Sequence, residues 1–171
     1  MQGQNKLGRF ETAVLPHLDA AFNLARWLTR NDADAEDVVQ EAYLRAFRFF
    51  GGFHGEDGRA WLLEIVRNTS YTWMQRNRSP ELNMPLDDEP REVEGDDLNP
   101  EELLLQKADA QTLRQAVEEL PLEFREVLVL RNEKNMRYEE IAVALGCSVG
   151  TVKSRIARAR EALRQSMAGE L

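Results

Sequence analysis

Apolar residues in this chain recur every three or four positions instead of alternating, so helices are expected throughout and strand signals are weak. Leu18, Phe22, Ala25 and Leu28 mark one helix, with Pro16 near its start or kinking it. A second is expected from about Ala33 to Phe50, with Val39, Ala42, Tyr43, Ala46, Phe47 and Phe50 as its apolar stripe. Its other face is unusual: Asp37, Gln40, Glu41 and Leu44 fall at i, i+3, i+4 and i+7, three polar groups and one leucine in line. Such a stripe is either a solvated face or a docking surface for a basic partner helix. The glycine-rich stretch Gly51 to Arg59 leads into a helix from Ala60 to Arg76, where Trp61, Leu62, Ile65 and Val66 read as core. Asn68, Tyr71, Trp73, Arg76 and Arg78 interleave polar, aromatic and basic groups. That mixture suits unstacked bases, although aromatic residues at helical spacing more often pack a core.

The periodicity stops between Ser79 and Asn99, where four prolines or glycines and many acids replace it. Asn99, Pro100, Glu101 and Glu102 then supply an N-cap, a proline at the first helical position and acids in the first turn. Beyond them Leu120, Val127, Leu128 and Leu130 are expected in the core. The chain therefore reads as all-α: a helical domain over residues 1–78, a flexible acidic linker over 79–99 and a second helical domain over 100–171.

Tyr138 to Arg160 carries the spacing of a helix-turn-helix. Ala142 falls where two helices cross closely. Gly146 can take the positive φ that stops the first helix, and Ser148 can cap the second. Ile141, Leu145, Val152 and Ile156 supply the apolar contacts between them. Gly150, Thr151, Lys153, Ser154, Arg155 and Arg158 then lie on or near the leading turns of the second helix, where a major groove accepts phosphate and base-edge contacts. A solvated amphipathic hairpin has the same outline, but too many positions agree for that reading to be preferred.

A net charge of −8 argues against nucleic acid until its distribution is examined. Residues 1–78 hold ten acids and ten bases, residues 79–110 eleven and two, and residues 111–171 nine and ten. The deficit sits in the middle, so the flanking basic clusters keep their footprint. One cysteine, Cys147, excludes an internal disulfide, and neither His17 nor His54 has a second ligand at helical spacing, so no metal or other cofactor is expected. Neither a leader pattern nor a membrane-length apolar run is present, which places the chain in the cytoplasm without membrane insertion.

In order, DAEDVVQEAYLRAF, FHGEDGRAWLLEIVRN, the acidic linker, LPLEFREVLVLR and YEEIAVALGCSVGTVKSRIARARE resemble the extracytoplasmic-function group of bacterial RNA polymerase sigma factors, over about Phe10 to Arg164. The resemblance implies a sigma region 2-like and a region 4-like domain, and a function in promoter-specific initiation with core RNA polymerase. It implies that Asp37, Gln40, Glu41 and Leu44 dock on the polymerase clamp helices. It assigns Phe53, His54 and the loop through Arg59 to capture of a flipped minus-10 base, with Asn68 beside that pocket and Arg76 and Arg78 near the promoter backbone. Lys153, Ser154 and Arg158 match minus-35 reading positions, with Ser148, Thr151 and Arg155 beside them. Asn68 is weighed against a purely bracing role, and Arg155 against an internal salt bridge with Glu161. An anti-sigma factor is the partner such proteins imply for regulation. A free-standing helix-turn-helix regulator would leave the Asp37 stripe without a task. A mimic that sequesters an anti-sigma factor would not need the basic reading residues. An enzyme would need a nucleophile with its base, a phosphate loop or metal spacing, none of which the sequence offers.

Overall fold

The computed structural model describes residues 2–53, 58–77, 80–83 and 109–168, and every regular element among them is helical. Two compact units emerge, the first built mainly from residues up to Leu82 and the second mainly from those after it.

The first unit holds α1 (Gln2–Val14), α2 (Leu18–Thr29), α3 (Asp32–Phe49) and α4 (Gly58–Arg76). A short 3-10 turn, Leu15–His17, carries Pro16 and joins α1 to α2, so the proline lies between helices and breaks no internal hydrogen bond. Arg30 closes α2 in the left-handed region at φ 62°. Asn31 then opens α3, its side chain accepting the Asp34 amide at 2.9 Å. Arg26 Nε lies 2.7 Å from Asp32 Oδ1, tying the end of α2 to the start of α3.

Small residues carry much of this packing. Ala21 and Ala25 from α2, Ala35, Ala42 and Ala46 from α3, and Thr69 and Ser70 from α4 are all buried, with Leu24, Leu28, Val38, Leu62, Leu63, Val66 and Met74 filling the space between. The expected α3 stripe is therefore rotated. Ala35, Val38, Ala42 and Ala46 face the interior, while Val39 and Tyr43 are only half-buried and Phe47 is exposed. Those bulkier residues lie on a second seam, over which Phe10 of α1 is laid. Phe10 is fully buried and meets Tyr43, Phe47 and Phe50 edge-on at centroid distances of 5.0, 5.2 and 5.4 Å.

The second unit holds α5 (Ala110–Glu118), α6 (Leu122–Leu128), α7 (Tyr138–Leu145) and α8 (Val149–Ala168). The expected start at Asn99 to Glu102 lies outside the described residues; the first described helix is capped by Asp109, which accepts the Gln111 amide at 3.3 Å. α6 runs into a five-residue π-helical turn, Val129–Glu133, and the Leu120, Val127, Leu128 and Leu130 side chains are buried as expected. Arg125 is fully buried, yet its Nη1 donates to the Leu120 carbonyl at 2.9 Å. Carbonyls at the end of α5 suit a cation, because a helix C-terminus carries partial negative charge.

One ionisable group in the first unit is held against its preference. Burial pushes the Glu64 carboxyl above its ordinary value, so the folded state binds this proton more tightly than the unfolded chain does. Ionised Glu64 therefore costs stability at neutral pH, and the cost fades as pH falls through the raised folded value. Glu64→Gln is expected to stabilise the protein at neutral pH, with the gain shrinking under mildly acidic conditions. Urea denaturation of both proteins at the two pH values checks this, and a pH-independent difference would contradict it.

Candidate functional site

The capped start of α3 fixes which residues face outward. Asp37, Gln40 and Leu44 are exposed, Leu44 at 67 %, and Glu41 is half-buried. Glu41 is also engaged within the unit: its Oε1 accepts from Arg45 Nη2 at 3.0 Å and from Arg76 Nη1 at 3.2 Å. Arg45 Nη1 in turn reaches 3.5 Å from Oγ1 of the buried Thr69. One carboxylate thus joins the α3 stripe to the end of α4, and Arg76 retains 59 % of its side-chain exposure.

At the other end of α4, Phe53 and Trp61 lie together, their rings tilted at 42° and 5.1 Å apart. Phe53 also stacks on Phe50 at 5.7 Å. Trp61 is half-buried in this ring cluster instead of sunk in the core. Arg59 is half-buried nearby in sequence. Asn68 stands exposed two helical turns further along α4, its Oδ1 accepting from Arg67 Nη1 at 3.3 Å. Arg67 also lies over the Tyr71 ring, 3.9 Å from its centroid. His54 and Arg78 lie outside the described residues.

The helix-turn-helix forms over the expected residues. Glu140 reaches back to the Arg137 amide at 2.9 Å, a capping-box contact that starts α7. Ala142 and Ile141 are buried, and Gly146 turns the chain at φ 69°, where a β-carbon would be strained. Ser148 Oγ accepts the Thr151 amide at 3.1 Å and lies 3.0 Å from Thr151 Oγ1, so both hydroxyls serve the cap. Val152, Ile156, Ala159 and Leu163 give α8 its buried side. Lys153 is exposed, Arg155 and Arg158 are half-buried, and Cys147 is half-buried in the turn.

Comparison with known proteins gives this arrangement a family. The profile for sigma-70 region 2 matches residues 13–79, and that for sigma-70 region 4 matches residues 110–163. The ECF RNA polymerase sigma-E factor of Escherichia coli (strain K12) is 37 % identical over 137 residues, covering 76 % of this chain and 72 % of its own length. The chain belongs to the extracytoplasmic-function sigma factors.

This sigma factor is also 33 % identical to SigE of Mycolicibacterium smegmatis over 96 % of its length, although it spans only 64 % of that longer relative. Its fold matches the sigma factor RpoE from Bartonella quintana, solved in complex with the anti-sigma factor NepR. The TM-score is 0.69 at 26 % identity, covering 95 % of this chain and 99 % of that one. The family consists of transcription initiation factors, not enzymes. Among the described residues no group of side chains is set to hold a metal, and no helix is long and apolar enough to cross a membrane.

Two features depart from the sequence expectation. Ser154, which matches a minus-35 reading position, is 4 % exposed. Its one-carbon side chain reaches less far than Lys153 or Arg158 and is covered where Lys153 is not. The second feature is Tyr138, whose ring lies beneath Arg131 at 4.3 Å and Lys153 at 5.7 Å. The sequence marked Tyr138 only as the start of a helix, and no local pattern signals a platform for two cations from other elements.

The Glu41 contacts are partly open to water, where ion pairs contribute about 0.2–1 kcal/mol each. Glu41→Gln, which removes both pairs, is therefore expected to lower unfolding free energy by no more than about 2 kcal/mol, measured by urea denaturation. A loss several times larger would show that the Arg45–Glu41–Arg76 group is structural, not a replaceable surface network.

Proposed function

We propose that this sigma factor works in the cytoplasm by binding core RNA polymerase through the first unit and positioning it on promoters through both. The proposed organisation is a polymerase-binding and minus-10 domain over residues 1–78, an acidic linker over 79–99 and a minus-35 domain over 100–171. Asp37, Gln40, Glu41 and Leu44 form the polymerase surface. Phe53, His54, Arg59, Asn68, Arg76 and Arg78 serve the minus-10 region. Ser148 and Thr151 shape the start of the minus-35 helix, with Lys153, Arg155 and Arg158 as its cationic contacts.

The observation that carries this reading is the α3 stripe. Asp37 and Gln40 stand exposed with Leu44 two turns along, an arrangement that a solitary DNA-binding protein does not need. A leucine left in water among polar neighbours is accounted for by a partner that covers it while its charges are matched. The division of labour follows from the same geometry. Contacts of the second unit to duplex fix register, and pocket contacts in the first offset the few kcal/mol needed to unstack a base. No bond is made or broken by this chain; the polymerase synthesises the RNA. The relative solved with an anti-sigma factor supports control by a protein of that class.

Run-off transcription with bacterial core polymerase and a pool of upstream fragments tests the reading. Discrete transcripts should appear only when the chain is added, and should vanish on joint replacement of Asp37, Gln40 and Glu41 by Ala. If the chain shifts duplex DNA alone and starts no transcript, it is a free-standing regulator. Lys153→Ala should weaken minus-35 duplex binding about equally across sequences if the lysine meets phosphate. The slope of log affinity against log salt should then fall by about one unit; an unchanged slope would remove Lys153 from the phosphate contacts.

A further inference from the structure

We propose that α1 seats two parts of the proposed minus-10 surface, Phe53 and the start of α4 with Arg59, and that Gly58 is the positioning residue for the second. The inference rests on the sigma-factor reading above and adds to it an element that the motifs left without a role. It starts from two contacts that converge on one face of α1, at Phe10 and Ala13, one helical turn apart.

The first contact leads to Phe53. Phe10 meets Phe50 edge-on at 5.4 Å with an interplanar angle of 80°, and Phe50 stacks on Phe53 at 5.7 Å and 24°. Trp61, from the first turn of α4, closes the group against Phe50 at 6.0 Å and Phe53 at 5.1 Å. Phe10 is fully buried, so it has no alternative volume to occupy.

The second contact fixes the start of α4. Gly58, the first residue of α4, is buried directly against the backbone of Ala13. A β-carbon built on Gly58 would overlap the Ala13 carbonyl oxygen and lie 3.1 Å from the carbonyl carbon and 3.4 Å from the Ala13 β-carbon. Because the obstruction is backbone, no side chain can swing aside to relieve it. Any larger residue must displace the start of α4 or α1 itself. Glycine is therefore required here by close approach, in contrast to Gly51 and Gly52, around which there is open space.

Phe53 and the start of α4 are thus both referred to the same face of α1. A seat that sets where these groups lie governs selectivity without itself touching DNA. Gly58→Ala should shift the start of α4, and Phe10→Leu should loosen the seat of Phe53 while keeping the position apolar.

The test uses holoenzyme assembled from core polymerase and the full-length chain, on the promoter that run-off transcription identifies. The probe is its labelled single-stranded minus-10 non-template strand, intact or with one base at a time removed to leave an abasic site. Gly58→Ala should reduce the preference for the intact strand about tenfold or more, with affinity for core polymerase changed less than about twofold. Phe10→Leu, whose folding is checked by its thermal melt, should reduce the preference in the same direction and decides the matter if Gly58→Ala does not fold. Unchanged preference in the folded variants overturns the proposal, as does a parallel loss of preference and core affinity. A wild-type holoenzyme that starts transcription without any base preference also overturns it. A wild type that starts no transcription overturns the sigma-factor reading beneath it.

Discussion

Each unit of this chain is close to the size at which a helical core barely closes, so every helix must give one side to that core and has only the other to offer a partner. That constraint explains why the functional positions fall on stripes. On α3, Ala35, Val38, Ala42 and Ala46 are committed inward, leaving Asp37, Gln40 and Leu44 on the outside of the same helix. On α8, burial of Val152, Ile156 and Ala159 leaves Lys153 outward. The core does not simply support the two surfaces; by fixing the rotation of each helix it determines which residues they contain.

The interior achieves this with little bulk. Alanines, Thr69 and Ser70 allow α2, α3 and α4 to pack closely, and the larger rings are moved to the seam under α1. Among the described residues, two buried polar side chains are satisfied by carbonyls close by in sequence. Ser70 Oγ donates to the Val66 carbonyl at 2.8 Å, and Arg125 to the carbonyl of Leu120. The cation–π arrangement at Tyr138 and the ion pairs at Glu41 are of a different kind. Both join residues from separate helices near the surface, where a few tenths to one kcal/mol each biases the posture of a long side chain without locking it.

The Glu41 contacts also place two proposed interfaces in direct physical connection. Glu41 belongs to the proposed polymerase stripe and Arg76 to the proposed minus-10 set, and they lie 3.2 Å apart. A partner that competes for the carboxylate changes what the arginine is paired with, and an arginine drawn to phosphate changes what the carboxylate offers. Reciprocity of this sort follows from shared contacts.

Local chemistry made much of this chain legible from sequence alone. The helix-turn-helix boundaries follow from Gly146, Ser148 and the apolar spacing around them, because a positive φ and a capping hydroxyl are needs that neighbouring residues express directly. The α2 and α4 helices followed for similar reasons, as did the outward stripe of α3. Three features did not. α1 was not expected, although Leu7, Phe10 and Val14 fall at helical spacing; only Phe10 and Val14 of these are buried. On α3 the expected Ala42, Ala46 and Phe50 are buried, but the expected Val39, Tyr43 and Phe47 give way to Ala35 and Val38, because sequence ranks size while close helix packing selects small side chains. The pairing of Glu41 with Arg76, and the covering of Ser154, depend on where separate segments meet or crowd. The sequence by itself determined helix, turn, cap and family, all of which are written in short-range spacing. Tertiary structure alone decided how far the core side of α3 turns toward its alanines and which distant residues share a contact, because those depend on shape and volume in three dimensions.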